Sequence, residues 1–186
     1  RGYVKRQDYK YYKKQKRGGR GVSGSKLARG DFVKQVLTCS THDYLLLFTN
    51  EGRVYWLRAY KVPEVKRKGK GKPIVNFIKL NKNEEVASVL NVKNFKNHVI
   101  FATEKGQVKK LALEEISNPR KSGVRVMKLP KDDRLLDAKY LADDREIMLA
   151  TARGKAIRFN SEEVRAMGRS AYGVIGIKLD NDDKVV

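Results

Sequence analysis

Residues 46–56 read Leu46-Leu-Phe-Thr-Asn-Glu-Gly-Arg-Val-Tyr-Trp56. An apolar run is followed by a Thr-x-x-Gly turn and then by a second run of β-favouring residues, which is typical of a β-hairpin. Glycine suits this turn because the tight connection needs a positive φ. The stretch therefore predicts two short antiparallel strands that are joined at Gly52.

The hairpin pattern recurs along the chain. Its turn glycines follow one another at intervals of 50, 54 and 48 residues and are Gly2, Gly52, Gly106 and Gly154. A second landmark, a Lys-Leu pair followed by a polar turn, recurs at intervals of 49 and 50 residues and begins at Lys79, Lys128 and Lys178. Each repeat therefore has room for about four short strands and for no long helix.

Four-stranded units that recur at this period are typical of a propeller-like array, in which neighbouring units stack to bury their faces. The sequence predicts an all-β fold with about four repeats in a single domain. The expected bounds of the repeats are 1–40, 41–92, 93–141 and 142–186. We expect the first and last repeats to be incomplete, and the chain to be part of a larger disc in a longer subunit.

The charge balance is strongly basic. The 186 residues include 42 Lys and Arg against 21 Asp and Glu, which gives a net charge of +21. Residues 1–30 carry eleven of the basic residues and one acid, and residues 61–72 carry six and one. A solvated surface explains one such run, but two dense clusters favour a polyanionic partner, with nucleic acid as the first candidate.

A glycine-containing basic loop lies between the hairpin and the Lys-Leu pair of every repeat. The last glycines of these loops are spaced by 50, 52 and 50 residues and are Gly21, Gly71, Gly123 and Gly173. Equivalent loops of stacked repeats share one side of the array, so the sequence predicts a curved basic rim. Arginine forks, lysine charges and close backbone approach at glycine all suit phosphate contacts.

The candidate DNA-binding residues all belong to these loops. In the first loop they are Gln15, Lys16, Arg17, Gly18, Gly19, Arg20 and Gly21. In the other loops they are Lys66, Arg67, Lys68, Lys70, Lys72, Arg120, Lys121, Arg165 and Arg169. An alternative interpretation of 18–21 is a disordered RNA-binding segment, but such tails do not keep phase with strand repeats.

Other residues suggest no catalytic or metal site. Cys39 lies in an apolar segment and is expected to be buried, and the single cysteine excludes an internal disulfide. His42 and His98 fall in different repeats and are interpreted as structural or surface residues. The paired aspartates 132–133 and 182–183 are attributed to turn chemistry rather than to metal binding.

Two aromatic features leave alternatives open. Tyr9, Tyr11 and Tyr12 are expected to pack the connecting segment onto the first repeat, with stacking on nucleic acid as the alternative. Trp56 aligns with basic residues of the other repeats. It either covers a neighbouring repeat or faces a partner.

The basic loop at 15–21 resembles the gyrase A box, with Lys16 where arginine is usual. Further stretches are similar to the A subunit of DNA gyrase, namely 31–33, 40–44, 48–55, 167–169 and 173–177. On these residues the chain is identified as a member of the family of C-terminal domains of the DNA gyrase A subunit. The exchange at Lys16 keeps the charge but loses the bidentate fork, so its effect is expected to be graded.

The resemblance implies a β-pinwheel, a propeller-like disc, commonly of six blades, in which neighbouring blades exchange strands. It implies that the chain wraps duplex DNA around a basic rim and so enables ATP-dependent negative supercoiling by a type IIA topoisomerase. The catalytic tyrosine and the ATP and Mg²⁺ sites would lie elsewhere, so this fragment would be non-catalytic and without a cofactor. The parent subunit is expected to dimerise and to pair with the B subunit of gyrase in an A2B2 complex. Its expected location is the bacterial cytoplasm, near the nucleoid and away from membranes.

Two other functions are considered. The equivalent domain of topoisomerase IV bends DNA but wraps it weakly, and the nearly intact box argues against it. A propeller scaffold for protein partners is the second alternative, and it would not need a net charge of +21.

Overall fold

The structure is a computed structural model that describes residues 2–12, 17–19, 24–25, 27 and 29–186. Within these residues the regular elements are short strands and 3-10 turns. The strands are β1 (Tyr3–Val4), β2 (Tyr44–Thr49), β3 (Arg53–Arg58), β4 (Lys72–Pro73), β5 (Val86–Val92), β6 (His98–Thr103), β7 (Gln107–Ala112), β8 (Val124–Arg125), β9 (Leu135–Leu141), β10 (Glu146–Ala150), β11 (Ala156–Asn160) and β12 (Val174–Ile175). The 3-10 turns are Tyr9–Tyr11, Ala59–Lys61, Ile74–Asn76, Leu113–Ile116 and Ser161–Glu163. The all-β prediction is confirmed.

The predicted hairpins are present as the antiparallel pairs β2–β3, β6–β7 and β10–β11. The turn threonine closes each of them, because its hydroxyl accepts a hydrogen bond from the backbone N–H four residues later. The donor-to-acceptor distances are 3.3 Å for Arg53 to Thr49, 3.1 Å for Gln107 to Thr103 and 3.1 Å for Lys155 to Thr151. At the first turn Gly52 has a φ of 70°. The Thr-x-x-Gly pattern therefore specifies the turn through both of its residues.

Neighbouring repeats exchange strands, as the resemblance implies. The two complete sheets have the strand orders β5-β2-β3-β8 and β9-β6-β7-β12. In the first of them β8 comes from the following repeat, and it pairs with β3 through Val54 opposite Val124. The same exchange pairs β12 with β7 and β4 with β1. The β-pinwheel prediction is therefore confirmed.

The strand order separates an inner from an outer side. Strands β5 and β9, at one end of the two complete sheets, pack against each other. The exchanged strands β8 and β12 form the opposite end of those sheets. The inner strands therefore face the centre of the array, and the exchanged strands form its outer edge.

Trp56 covers the neighbouring repeat, which resolves the alternative that the sequence left open. Its indole N–H donates to the carbonyl of Ile116, in the 3-10 turn of the next repeat, at 3.0 Å. Lys110, at the aligned position, reaches the next 3-10 turn in the same way and donates to Ser161 O at 3.1 Å. The aligned position thus carries a donor that ties one repeat to the next, and either an indole or an ammonium can supply it.

The largest core cluster fills the space between the second and third repeats. Phe48 and Phe101 are both fully buried, and their rings meet edge to face at 5.2 Å. Along β2 the neighbouring Leu45 and Leu47 belong to a second cluster, which they share with Val4 of the first repeat. Strand β2 is thus buried on both faces, which explains its continuous apolar run.

Two expectations about the first repeat are wrong. Cys39 is exposed, as is the whole segment 31–40, because no described backbone strand pairs with it. The side chain of Gln35 instead bonds the edge of β5 at Val89. Tyr9 and Tyr11 are also exposed, and the turn that contains them buries none of its residues. Tyr12 is exposed too, but its hydroxyl donates to Gln7 at 2.6 Å and so ties the segment to the first repeat.

The paired phenylalanines predict where stability is concentrated. Replacing Phe101 with Ala should lower the free energy of unfolding by about 3–5 kcal/mol, because it leaves a cavity between two repeats. The change Met148→Ala on the exposed face of β10, where the residue is 70% exposed, should cost less than about 1 kcal/mol. Urea unfolding measures both values, and equal losses would contradict this description of the core.

Candidate nucleic-acid interface

Each described basic loop leads directly into an exchanged outer strand. Residues 66–71 precede β4, residues 119–123 precede β8 and residues 165–173 precede β12. Because β8 and β12 are outermost in their sheets, these loops lie at the outer edge of the array. The structure therefore brings the three loops to equivalent places in successive repeats.

Most of the candidate cations in these loops point into solvent. Eight of the nine are exposed, and Arg67 is half-buried. Among them Arg169 pairs with Glu115 at 3.8 Å, and the ammonium of Lys70 lies 4.6 Å from the ring centroid of Tyr3. Among the described residues no carboxylate pairs with Lys66, Lys68 or Lys72. Their charges are therefore open to an external anion.

The basic loop of the first repeat, residues 15–21, is described only in its middle. Arg17, Gly18 and Gly19 form an exposed turn, and Gly18 has a φ of 77°. The other residues predicted for this site lie outside the described residues, namely Gln15, Lys16, Arg20 and Gly21.

The last glycine of each described loop approaches the neighbouring sheet instead of standing free for a phosphate. A Cβ at Gly173 would lie 2.5 Å from the carbonyl oxygen of Val108, and one at Gly71 would lie 2.6 Å from that of Val4. Both positions also have positive φ. The expectation that these glycines admit a phosphate is therefore replaced by a packing role, which closes the loop onto the preceding repeat.

The acidic residues of the polar turns hold the hairpins, in agreement with the turn interpretation. Asp133 accepts from the backbone N–H of Lys105 at 3.0 Å, and Asp183 accepts from that of Arg153 at 3.1 Å. In the second repeat the buried Glu84 accepts from the hydroxyl of Thr49 at 2.7 Å. No group of three or more potential metal ligands occurs in the described part of the chain.

Sequence reasoning missed two exposed cations beside these loops. Arg125 lies on β8 itself, with its side chain exposed between the buried Val124 and Val126. Lys128 lies shortly after it, with its ammonium 4.9 Å from the ring centroid of Tyr172. The alternation of apolar and basic residues at 124–126 was the available signal, since it is typical of a strand with one exposed face.

A third missed residue, Lys109, is fully buried beneath the loop of the fourth repeat. Its ammonium donates to the carbonyls of Val126 at 2.8 Å and of Arg169 and Ala171 at 3.0 Å each. Burial lowers the pKa of Lys109 to about 8, and the opposing effect of Glu115 is smaller. A lysine is tolerated here because all three of its N–H donors have acceptors.

The buried ammonium predicts a pH dependence of stability. The pKa of Lys109 falls from 10.5 in the unfolded chain to about 8 in the folded one, so the unfolded chain binds more protons between these values. The free energy of unfolding should therefore rise with pH across this window. The other titrating groups cancel when the parent chain is compared with Lys109→Met, which should lack this part of the rise. The free energy of unfolding of both proteins is measured by urea unfolding at each pH. The same pH dependence in the parent chain and in Lys109→Met would contradict the lowered pKa of Lys109.

No helix in the described part of the chain is long and apolar enough to cross a membrane.

The model of the family described as DNA gyrase C-terminal domain, beta-propeller, matches residues 1–40, 43–93, 97–141 and 145–186. Similar proteins include the A subunit of DNA gyrase from Chlamydia muridarum, which is 46% identical over 99% of this chain. The A subunit of DNA gyrase from Salmonella typhimurium is 43% identical over the whole chain. The chain spans 23% and 21% of the lengths of these relatives.

Solved structures show the same fold over the whole chain. A C-terminal domain of DNA topoisomerase IV has a TM-score of 0.81 at 30% identity, with 57% of that structure covered. A DNA gyrase A C-terminal domain has a TM-score of 0.75 at 32% identity, with 60% covered. Four successive matches to one family model, together with this fold, establish that the chain belongs to the DNA gyrase C-terminal domain family.

Proposed function

We propose that this chain is a non-catalytic module that binds duplex DNA without sequence preference and wraps it in a fixed sense around its outer edge. The observation that carries the proposal is the repeated placement of an exposed basic loop before each exchanged outer strand. Three described repeats share this placement, so their cations form a series along the edge. The proposed site comprises the gyrase A box at 15–21 and the cations of the other three loops.

The chemistry of the loops suits the DNA backbone. Lysine ammonium groups and arginine forks contact phosphate oxygens, and such contacts position a duplex without reading its bases. Unpaired exposed cations such as Lys66 and Lys68 release counterions from DNA when they bind it, which supplies affinity at low salt. The net charge of +21 adds long-range attraction.

A curved series of contacts favours bent DNA. Bending a site of 20–30 base pairs costs on the order of 1–6 kcal/mol, which several phosphate contacts offset. Proteins that wrap DNA combine backbone contacts with the deformability of the duplex in this way. Successive repeats here carry their loops at equivalent places, so each can contact DNA that has already been turned by its neighbour.

Gyrase, rather than topoisomerase IV, is the proposed parent enzyme. The solved structures include C-terminal domains of both enzymes and so do not separate the two. The matched sequences are A subunits of DNA gyrase and cover essentially the whole chain. The box at 15–21, with only Lys16 departing from its usual pattern, also favours gyrase.

In the parent enzyme the chain would present a wrapped DNA segment for strand passage, so that ATP hydrolysis introduces negative supercoils. We place the catalytic tyrosine and the ATP and Mg²⁺ sites in other parts of that enzyme. The parent subunit would form an A2B2 complex with the B subunit of gyrase in the bacterial cytoplasm, close to the nucleoid.

Binding of the 186-residue chain to linear duplex DNA at several salt concentrations tests the proposal. The logarithm of the association constant should fall linearly with the logarithm of salt, by about 0.9 for each neutralised phosphate. Replacing Lys66, Arg67 and Lys68 together with Ala should weaken binding and reduce this slope by up to about 2–3, because it removes three loop cations.

The matched control replaces Lys93, Lys96 and Lys139 with Ala. These three lysines are exposed and lie outside the basic loops, so the same loss of charge should leave the slope within about one unit of the parent value. A salt slope near zero for the parent chain would contradict the proposal. Equal effects of the two triple changes would indicate attraction by overall charge and would contradict an interface at the loops.

A further inference from the structure

Two lysines occupy the same position in different repeats and make the same contacts. Lys5 and Lys109 are each the third residue after a turn glycine. The ammonium of Lys5 donates to the carbonyls of Gly24 at 3.1 Å, Arg67 at 2.7 Å and Gly69 at 3.1 Å. Lys109 likewise donates to three carbonyls, those of Val126, Arg169 and Ala171.

The acceptors correspond as well as the donors. Arg67 and Arg169 both lie 15 positions after the turn glycine of their own repeat, and Gly69 and Ala171 both lie 17 positions after it. Each lysine therefore binds two carbonyls in the basic loop of the following repeat. The third acceptor, Gly24 or Val126, belongs to the repeat of the lysine itself.

The second repeat provides an internal comparison, because Tyr55 takes the place of the lysine there. The ring of Tyr55 lies beneath Gly123, where an added Cβ would come within 2.8 Å of it. The loop above this ring is shorter, since Gly123 follows its turn glycine by 17 positions, whereas Gly71 and Gly173 follow theirs by 19. The longer loops thus lie over a lysine and the shorter loop lies over a ring.

This correspondence has a physical cause. The longer loops turn carbonyls toward these lysines in part-buried surroundings, where an acceptor that is left unpaired costs up to about 1–3 kcal/mol. An ammonium carries three donors and no acceptor, so one lysine satisfies three carbonyls at once. With the carbonyls of Arg67 and Arg169 held from below, the loop backbone is fixed beneath its cations.

We propose that Lys5 and Lys109 are positioning residues of the DNA interface, each fixing the backbone of the basic loop in the following repeat. This inference rests on the proposed DNA-wrapping function. Each lysine contributes its charge to the loop carbonyls and not to the DNA. Its effect on binding is to keep the exposed cations of the loop in the arrangement that contacts phosphates.

A crossed exchange experiment on the 186-residue chain tests the inference. Amide hydrogen exchange is followed by NMR in the loops 66–72 and 165–173 for Lys5→Met, Lys109→Met and the control Lys139→Met. The control removes an exposed charge that pairs with Asp137 on β9, away from both loops. Lys5→Met should speed exchange at least about tenfold in 66–72 alone, and Lys109→Met should do so in 165–173 alone.

Duplex binding is measured on the same samples. Both loop-directed variants should weaken binding and reduce the salt slope by about 0.9 for each phosphate that the loop no longer neutralises, and the double variant should show the sum of both reductions. Lys139→Met should change neither the exchange nor the slope. A change in slope separates positioning from a merely structural role, because a fold that is less stable but still intact keeps its phosphate contacts.

The outcomes are distinguishable. Unchanged loop exchange in a folded variant, or equal loosening of both loops by either change, would overturn the inference. Loosened loops with unaltered affinity would overturn it too, while leaving the wrapping proposal intact. If Lys109→Met does not fold, the inference is tested by Lys5→Met and exchange in the loop 66–72, because Lys5 is only half-buried. A parent chain that does not bind duplex at all would overturn the proposed function, and that result is read from the unsubstituted protein alone.

Discussion

The hydrogen bonds between each hairpin and the outer strand of the next repeat are the constraint on which the molecule depends. Strands β8 and β12 are only two residues long, and each completes the sheet of the preceding repeat. The outer edge of a hairpin therefore has no strand to pair with unless the next repeat supplies one. The same pairing fixes one end of every described basic loop, so that stability and the proposed interface share one set of contacts.

The basic residues divide into two groups with different tasks. Lys109 and Lys110 donate to backbone carbonyls across the repeat boundary, and these contacts hold the array together. Lys66 and Lys68 project from the outer edge without a carboxylate partner in the described part of the chain. The net charge alone does not separate these groups, whereas burial and hydrogen bonding do.

Local patterns were predictable from the sequence, and contacts between repeats were mostly not. The Thr49–Gly52 turn was predicted because turn chemistry is local. Strand exchange followed from the family resemblance, since periodicity does not tell which sheet a two-residue strand joins. Cys39 was expected to be buried because its segment is apolar, but no described strand pairs with that segment and the thiol is exposed. Lys109 was overlooked because a lysine in a strand normally marks the solvent face.

DNA that follows the outer edge in a fixed sense must change its linking number, so the proposed wrapping is tested by measuring DNA topology. Relaxed circular DNA is incubated with increasing amounts of the chain and a nicking-closing enzyme, and the topoisomers are separated on two-dimensional gels after the protein is removed. Wrapping in a fixed sense should change the linking number with one sign, by an amount that grows with the ratio of protein to DNA. Tight binding that leaves the topoisomer distribution centred on the relaxed state would contradict it.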